Sequence, residues 1–322
     1  MSVPGDIVRI EVEMKPSEVA RAVAAATAIV SELDLTAEDV EVLHNSNQLA
    51  LRLLPCNVFA RIADVGQEVA ELEVELALRL AETGSPVAKL EPRVEPRVYE
   101  RDGFSVTWWT FYESLAPQDV SPSDYAKTLE RLHADMRTLN VATPHFTDRV
   151  AEAQLLVSSR DLTPALADAD RELLIDTLRS RVAVIEHRRA PEQLLHGEPH
   201  PGNVLNTCDG LRFIDLETCC RGPVEFDLAH VPEDVSERYP GVDQDLLRDC
   251  RVLVLAMVAA WRWDPSDEFP EGKRSARELV RVLREGPPWP TLDAVTRRDF
   301  LVGDGGKRDP TNKRSRRGST PG

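Results

Sequence analysis

No two cysteines in this chain are spaced as a C-x-x-C pair. The five that occur, Cys56, Cys208, Cys219, Cys220 and Cys250, are odd in number, and adjacent Cys219-Cys220 is poor spacing for zinc. This argues against a disulfide framework or a structural zinc site, and reduced thiols in a cytoplasmic protein are expected. Long apolar runs are missing too: Leu253 to Ala260 falls well short of the roughly eighteen residues a membrane span needs. The N-terminus, Met1-Ser2-Val3-Pro4-Gly5-Asp6, lacks the charged and apolar regions of a signal peptide, so no membrane partner is expected. Cations are scarce: 39 Lys and Arg stand against 55 Asp and Glu, a formal net charge of −16. Nucleic acid is therefore not an expected partner, because such binding rests on cationic contacts to phosphate. The acidity suits a cationic small substrate, or serves solubility alone. No internal repeat is present. What remains is a chain of 322 residues, 42% hydrophobic and 29% charged, enough for a two-lobed unit with a full core.

Periodicity outlines that unit. Ser17 to Leu33 is predicted to be a helix capped by Ser17, with Val19, Ala20, Val23, Ala24, Ile29 and Val30 as its apolar stripe. Gln48 to Leu54 and Val58 to Ile62 are predicted as two strands around Pro55-Cys56-Asn57. Gly66 to Thr83 follows as an amphipathic helix with Val69, Leu72, Leu76 and Leu80 on one face. Phe104 to Tyr112 is rich in β-formers. Helices are predicted over Pro122 to Leu139, Asp168 to His187, Gln244 to Trp263 and Ser275 to Glu285, the first capped by Ser121 or Ser123. A larger, helical part behind a smaller, strand-bearing one gives an α+β fold class.

The chemistry concentrates at His196-Gly197-Glu198-Pro199-His200-Pro201-Gly202-Asn203, followed by Phe213-Ile214-Asp215-Leu216-Glu217. Between them, Val204-Leu205 and Phe213-Ile214 flank a turn at Cys208-Asp209-Gly210, a hairpin signal. The hairpin brings Asn203 and Asp215 together at one end. Two hard oxygen ligands beside a third carboxylate suit Mg²⁺ on a nucleotide phosphate. Protein kinases use the same parts.

These residues resemble the signature of the aminoglycoside phosphotransferase and choline-kinase-like family, which has a two-lobed protein-kinase-like fold. Its pattern H-G-D-x-H-x-x-N, then I-D-[WFL]-[DE], then D-L-A stands here as HGEPHPGN, IDLE and Phe226-Asp227-Leu228-Ala229. Leu129 to Ala134 resembles its L-x-x-L-H-x segment, and Glu73, Ala77, Leu80, Gly84, Pro86 and Val87 resemble a run of its small lobe, so the likeness spans roughly residues 40 to 265. The resemblance implies a small strand-bearing lobe and a mostly helical one. It implies transfer of the γ-phosphate of ATP or GTP to a hydroxyl of a small acceptor of aminoglycoside or amino-alcohol type. Glu198, where the family has Asp, would be the catalytic carboxylate, and Asn203 and Asp215 would hold Mg²⁺. Arg61, where the family has Lys, would hold phosphate with Glu73 fixing it, and Asn47 would lie in the nucleotide-covering loop, which is not Gly-rich here. Thr110 to Glu113 would line the base pocket. Asp227 would anchor the catalytic loop from behind, and His133, His196 and His200 would brace structure. Residues 1–113 would form the nucleotide-binding lobe, 114–302 the catalytic and acceptor lobe, and 303–322 a disordered basic tail.

Other readings stay open at this point. Arg61 is also consistent with an exposed strand face, and Trp108 and Trp109 with core filling. Glu217 either assists the metal or solvates the strand exit. Glu233, Asp234, Glu237, Asp243 and Asp245 either attract a cationic acceptor or form a plain exposed face. An inactive kinase-like nucleotide-binding protein is one alternative for the whole chain. A metal-dependent hydrolase using His196, Glu198 and His200 is the other.

Overall fold

Alternation with period two decides which side of the small lobe's sheet each residue faces. The structure, a computed structural model, describes residues 14–45, 48–66, 68–115, 120–265, 267 and 271–295. Asn47 and the basic tail lie outside the described residues. Five strands, β1 (Ala37–Asn45), β2 (Leu49–Pro55), β3 (Val58–Asp64), β4 (Tyr99–Arg101) and β5 (Phe104–Thr110), form an antiparallel sheet in the order β1-β2-β3-β5-β4. Leu49, Leu51 and Leu53 of β2 and Val58, Ala60 and Ile62 of β3 turn to one face and are fully buried there with Trp108 of β5. The intervening Ala50, Phe59 and Arg61 turn to the other face, with Ala50 opposite Arg61 in register. A slip of one residue would exchange the two sets.

Helix α1 (Pro16–Glu32) covers the apolar face. Its buried residues are Ala22, Ala25, Ala26, Ile29 and Val30. This corrects the expected stripe: Ala20 and Ala24 are exposed, and Val19 and Val23 sit at the margin. Alanines at the contact let the helix lie close on the sheet. The helix also starts before Ser17: Lys15 is the cap position, and Pro16 follows at the first helical position, where a missing N–H costs nothing. The edge strand β1 has an exposed pattern with no clean alternation, which is why the sequence did not reveal it.

On the other face α2 (Glu68–Glu82) buries Leu76, Ala77 and Leu80 against the core of the helical lobe. That lobe holds α3 (Pro122–Met136), α4 (Phe146–Ser158), α5 (Asp168–Arg188), the short α6 (Val224–Leu228) and α7 (Glu233–Ser236), α8 (Gln244–Trp261) and α9 (Gly272–Glu285). Ser121 caps α3 by accepting from Asp124 N, and Tyr125, Leu129, Leu132 and Met136 are buried as expected. Leu253 to Met257 of α8 are buried without interruption, as in a helix surrounded by others. Buried Arg171 of α5 donates to the carbonyls of Ser159, Thr163 and Leu166, satisfying orphan acceptors beyond the end of α4. Two small ladders complete the lobe: β6 (Gln193–Leu195) with β9 (Cys220–Gly222), and β7 (Val204–Thr207) with β8 (Gly210–Phe213). The second is the predicted hairpin, with Thr207 paired to Gly210.

Candidate active site

A cavity of about 850 Å³ lies between the sheet and the helical lobe. Ala50, Phe59 and Arg61 line it from the sheet; Glu198, Asn203 and Asp215 line it from below. The loop that carries Glu198 leaves β6 and is held from behind by Asp227. One Asp227 oxygen accepts from His196 N at 2.9 Å, the other from Gly197 N at 2.8 Å. His133 Nε2 meets the same carboxylate at 2.9 Å, and His133 Nδ1 meets the Tyr239 hydroxyl at 2.9 Å. Burial pushes the Asp227 carboxyl up, but the bond to His133, the nearby His196 and the Gly197 N–H hold it below its ordinary value. Asp227→Ala is expected to destabilise the protein by about 3–5 kcal/mol, because it strips a buried imidazole and two buried N–H groups of their partner. Urea unfolding of the variant measures this; a loss below about 1 kcal/mol would contradict the anchoring role.

The loop itself is braced at each turn. His196 Nε2 contacts the Ile214 carbonyl at 2.9 Å, and burial keeps its imidazole neutral by lowering its pKa. Gly197 has φ +90°, and a Cβ there would sit 1.9 Å from the Thr218 carbonyl oxygen. His200 Nδ1 accepts from Gly202 N at 3.0 Å. Asn203 Nδ2 donates to the Glu198 carbonyl at 3.0 Å, leaving its amide oxygen as the candidate ligand atom. Ile214 N donates to the Asn203 carbonyl at 3.0 Å and so ties the two ends of the hairpin. Asp215 follows at φ 66°, a left-handed conformation unusual for a residue with a side chain and of the kind that accumulates at functional sites.

Arg61 crosses from the sheet to meet it. Its guanidinium pairs with Glu73, reaches Asp215 Oδ1 at 2.8 Å and lies 3.6 Å from Glu217. Burial would lower its pKa, but the three carboxylates outweigh that and hold it firmly cationic. Glu73 is buried while Glu71 and Glu75 of the same helix are exposed, and Glu73 also accepts from Leu216 N at 3.2 Å. Glu217 joins the network through Gln48 Nε2 at 2.6 Å, so it does not merely solvate the strand exit. Arg61 is thus no bystander on an open strand face. Trp108 fills the core behind the sheet, whereas Trp109, Thr110, Phe111 and Tyr112 line the cavity.

Two site residues escaped the sequence reading. Arg149, on α4, pairs its guanidinium with the Glu198 carboxylate and donates to the Gly197 carbonyl at 3.2 Å. Burial pushes Glu198 up, but Arg149 foremost, then His230 and His200, hold its pKa at about 2. His230 lines the cavity with its Nε2 buried and without a hydrogen-bond partner among the described residues, and burial lowers its pKa to about 4. The helical spacing of Phe146, Val150, Ala153 and Val157 would have revealed α4, but nothing local signals a pairing 49 residues away.

The trio proposed for a hydrolase does not converge. His196 is committed to Ile214 and the loop backbone, Glu198 to Arg149, and His200 to Gly202. Among the described residues no group of three His, Cys, Asp or Glu side chains is placed to hold a metal. One amide oxygen and one carboxylate on a shared cavity do fit Mg²⁺, which takes few protein ligands when phosphates supply others. Glu233, Asp234, Glu237, Asp243 and Asp245 are exposed and do not line the cavity; Glu233 pairs with Arg251 and Asp243 caps α8.

The sequence model of the phosphotransferase enzyme family matches residues 45–269. The chain belongs to that family. Among solved structures, this phosphotransferase is similar to the amicoumacin kinase hAmiN in complex with AMP-PNP, Ca²⁺ and Ami, with TM-score 0.66 and 12% identity over 86% of this chain and 98% of that one. It is similar to the choline kinase LicA from Streptococcus pneumoniae, with TM-score 0.61 and 15% identity over 81% and 98%. It is also similar to the spectinomycin phosphotransferase APH(9)-Ia in complex with ADP and spectinomycin, with TM-score 0.57 and 13% identity over 84% and 97%. At these identities the likeness establishes a kinase-like two-lobed fold. No protein among those of curated function matches the sequence. No helix among the described residues is long and apolar enough to cross a membrane.

Proposed function

We propose that this phosphotransferase moves the γ-phosphate of ATP or GTP to a hydroxyl of a small acceptor, with Mg²⁺ as cofactor. One observation carries the reading: Arg61, Glu198, Asn203 and Asp215, drawn from separate segments, line a single cavity. Structural neighbours with AMP-PNP or ADP support a nucleotide there, and Ca²⁺ in one of them supports a divalent cation. Asn203 and Asp215 would hold the metal, which supplies charge neutralisation on the phosphates. Arg61, oriented by Glu73, binds phosphate oxygens and holds them against repulsion from the carboxylates below. Glu198 accepts a hydrogen bond from the acceptor hydroxyl and aims it. A carboxylate held at about 2 is a weak base at neutral pH, so its contribution is orientation rather than early proton removal.

The acceptor would occupy the part of the cavity lined by Asp148, Glu152 and Leu156 of α4 and by Val258, Trp261 and Asp264 at and just past the end of α8. Apolar surface rimmed by carboxylates suits an acceptor bearing both a carbon frame and amines, of aminoglycoside or amino-alcohol type. Residues 1–113 and 114–302 would then serve as nucleotide-binding and acceptor lobes. The competing reading, a nucleotide-binding protein without transfer, draws on the internal pairing of Arg61 with Asp215 and of Arg149 with Glu198. Incubation with Mg²⁺, γ-labelled ATP or GTP and a panel of amino alcohols and aminoglycosides separates them. A phosphorylated acceptor is expected; bound nucleotide with no label transferred to any panel member or to water would favour the inert reading.

A further inference from the structure

We infer that Arg149 is a positioning residue: it clamps the Glu198 carboxylate so that a glutamate fills the place that its family gives to aspartate. This rests on the phosphotransfer reading of the cavity. Glutamate has one more rotatable bond than aspartate, and its carboxylate samples more positions unless something holds it. Misplacement by about an ångström costs on the order of a hundredfold in rate. Arg149 supplies the hold from three directions. Its guanidinium grips the Glu198 carboxylate, donates to the Gly197 carbonyl at 3.2 Å, and lies 5.2 Å from the centre of the Trp261 ring. The side chains of Arg149 and Glu198 are only 15% and 20% exposed, so water competes weakly for either.

The clamp has a rigid base. Phe146, Val150, Ala153 and Val157 of α4 are buried in the core of the helical lobe, and Arg149 directly precedes Val150. Trp261, the last residue of α8, is partly buried against the core of the helical lobe, which supports the ring that faces the guanidinium. The Gly197 carbonyl belongs to the peptide that precedes Glu198 and lies next to the Gly197 N–H held by Asp227. Arginine therefore spans the backbone and the side-chain end of the same short stretch, which a lysine's single ammonium does less well. Arg149 touches Glu198 rather than the transferred group, so it acts through that carboxylate.

A double-mutant cycle tests this. Turnover of Mg·ATP with water as acceptor, nucleotide affinity by calorimetry and thermal melting are measured for the parent, R149K, R149M, E198Q and R149M/E198Q. Nucleotide affinity should stay within about twofold throughout. R149M should lower kcat by about a hundredfold, R149K should restore part of it, and in the E198Q background R149M should change kcat less than about threefold. R149M/E198Q should melt above E198Q, because the single variant leaves a guanidinium held without its carboxylate. An equal kcat loss in both backgrounds, or a loss carried by KM, would overturn the clamp. A parent without any ATP turnover would count against the proposed function instead. The melting comparison then decides the clamp by itself: equal melting of E198Q and R149M/E198Q would sink it.

Discussion

Glu198→Gln should bind nucleotide as the parent does and transfer phosphate about a hundred times more slowly. The amide keeps the size of the side chain and removes its charge. Asn203, a metal-ligand candidate, is bonded to the backbone carbonyl of Glu198, which the substitution leaves in place. Nucleotide affinity therefore has no reason to change. What is lost is the negative charge that would aim the substrate hydroxyl and that pairs with Arg149. Calorimetry and a turnover assay on the same preparation separate the two effects. A variant that transfers at near the parent rate would show that Glu198 neither orients nor activates the acceptor.

Gly197→Ala should be the more damaging change to the protein itself. A methyl group at this position meets the Thr218 carbonyl oxygen at 1.9 Å and the carbonyl carbon at 2.8 Å. Both are backbone, and Thr218 is itself tied to the loop because its hydroxyl donates to the His196 carbonyl at 3.0 Å. Nothing flexible is available to move aside. Strain at φ +90° adds about 1–3 kcal/mol to an overpacking cost of about 1–3 kcal/mol, so a loss of roughly 2–6 kcal/mol is expected, together with loss of turnover. Gly210→Ala is the internal control. Its φ is +103°, but a Cβ there meets nothing within 4 Å, so only the backbone strain applies. Urea unfolding should rank Gly197→Ala well below Gly210→Ala; equal losses would mean that the close approach to Thr218 is not limiting.

The sequence made this site legible because its chemistry is local in part. Asn203 and Asp215 are joined by a two-stranded hairpin whose turn is written in Cys208-Asp209-Gly210, and the ladder from Val204 to Phe213 brings them together. Arg61 was readable through the family resemblance, and the alternation of β3, with Val58, Ala60 and Ile62 buried, is why it faces the cavity. Glu73 was readable through the same resemblance, and the structure buries it while Glu71 and Glu75 stay exposed. Arg149 was not readable, since it reaches Glu198 from an element 49 residues away with no local signal, and His230, three residues past Asp227, is marked only by lining the same cavity. Edge strand β1 was missed for a related reason: with most side chains exposed it has no apolar period to detect. The α1 stripe was displaced because alanines serve equally on a close contact and on an exposed face.

The most direct test of the central claim is nucleotide binding by calorimetry, with and without Mg²⁺, on the parent and on Asp215→Ala. The Asp215 side chain pairs with Arg61, not with the loop that Asp227 holds, so its removal spares that loop. The account predicts metal-dependent binding of ATP or GTP by the parent, and loss of the metal dependence in the variant. Binding by the parent that ignores Mg²⁺, or equal metal-dependent binding by both proteins, would contradict it.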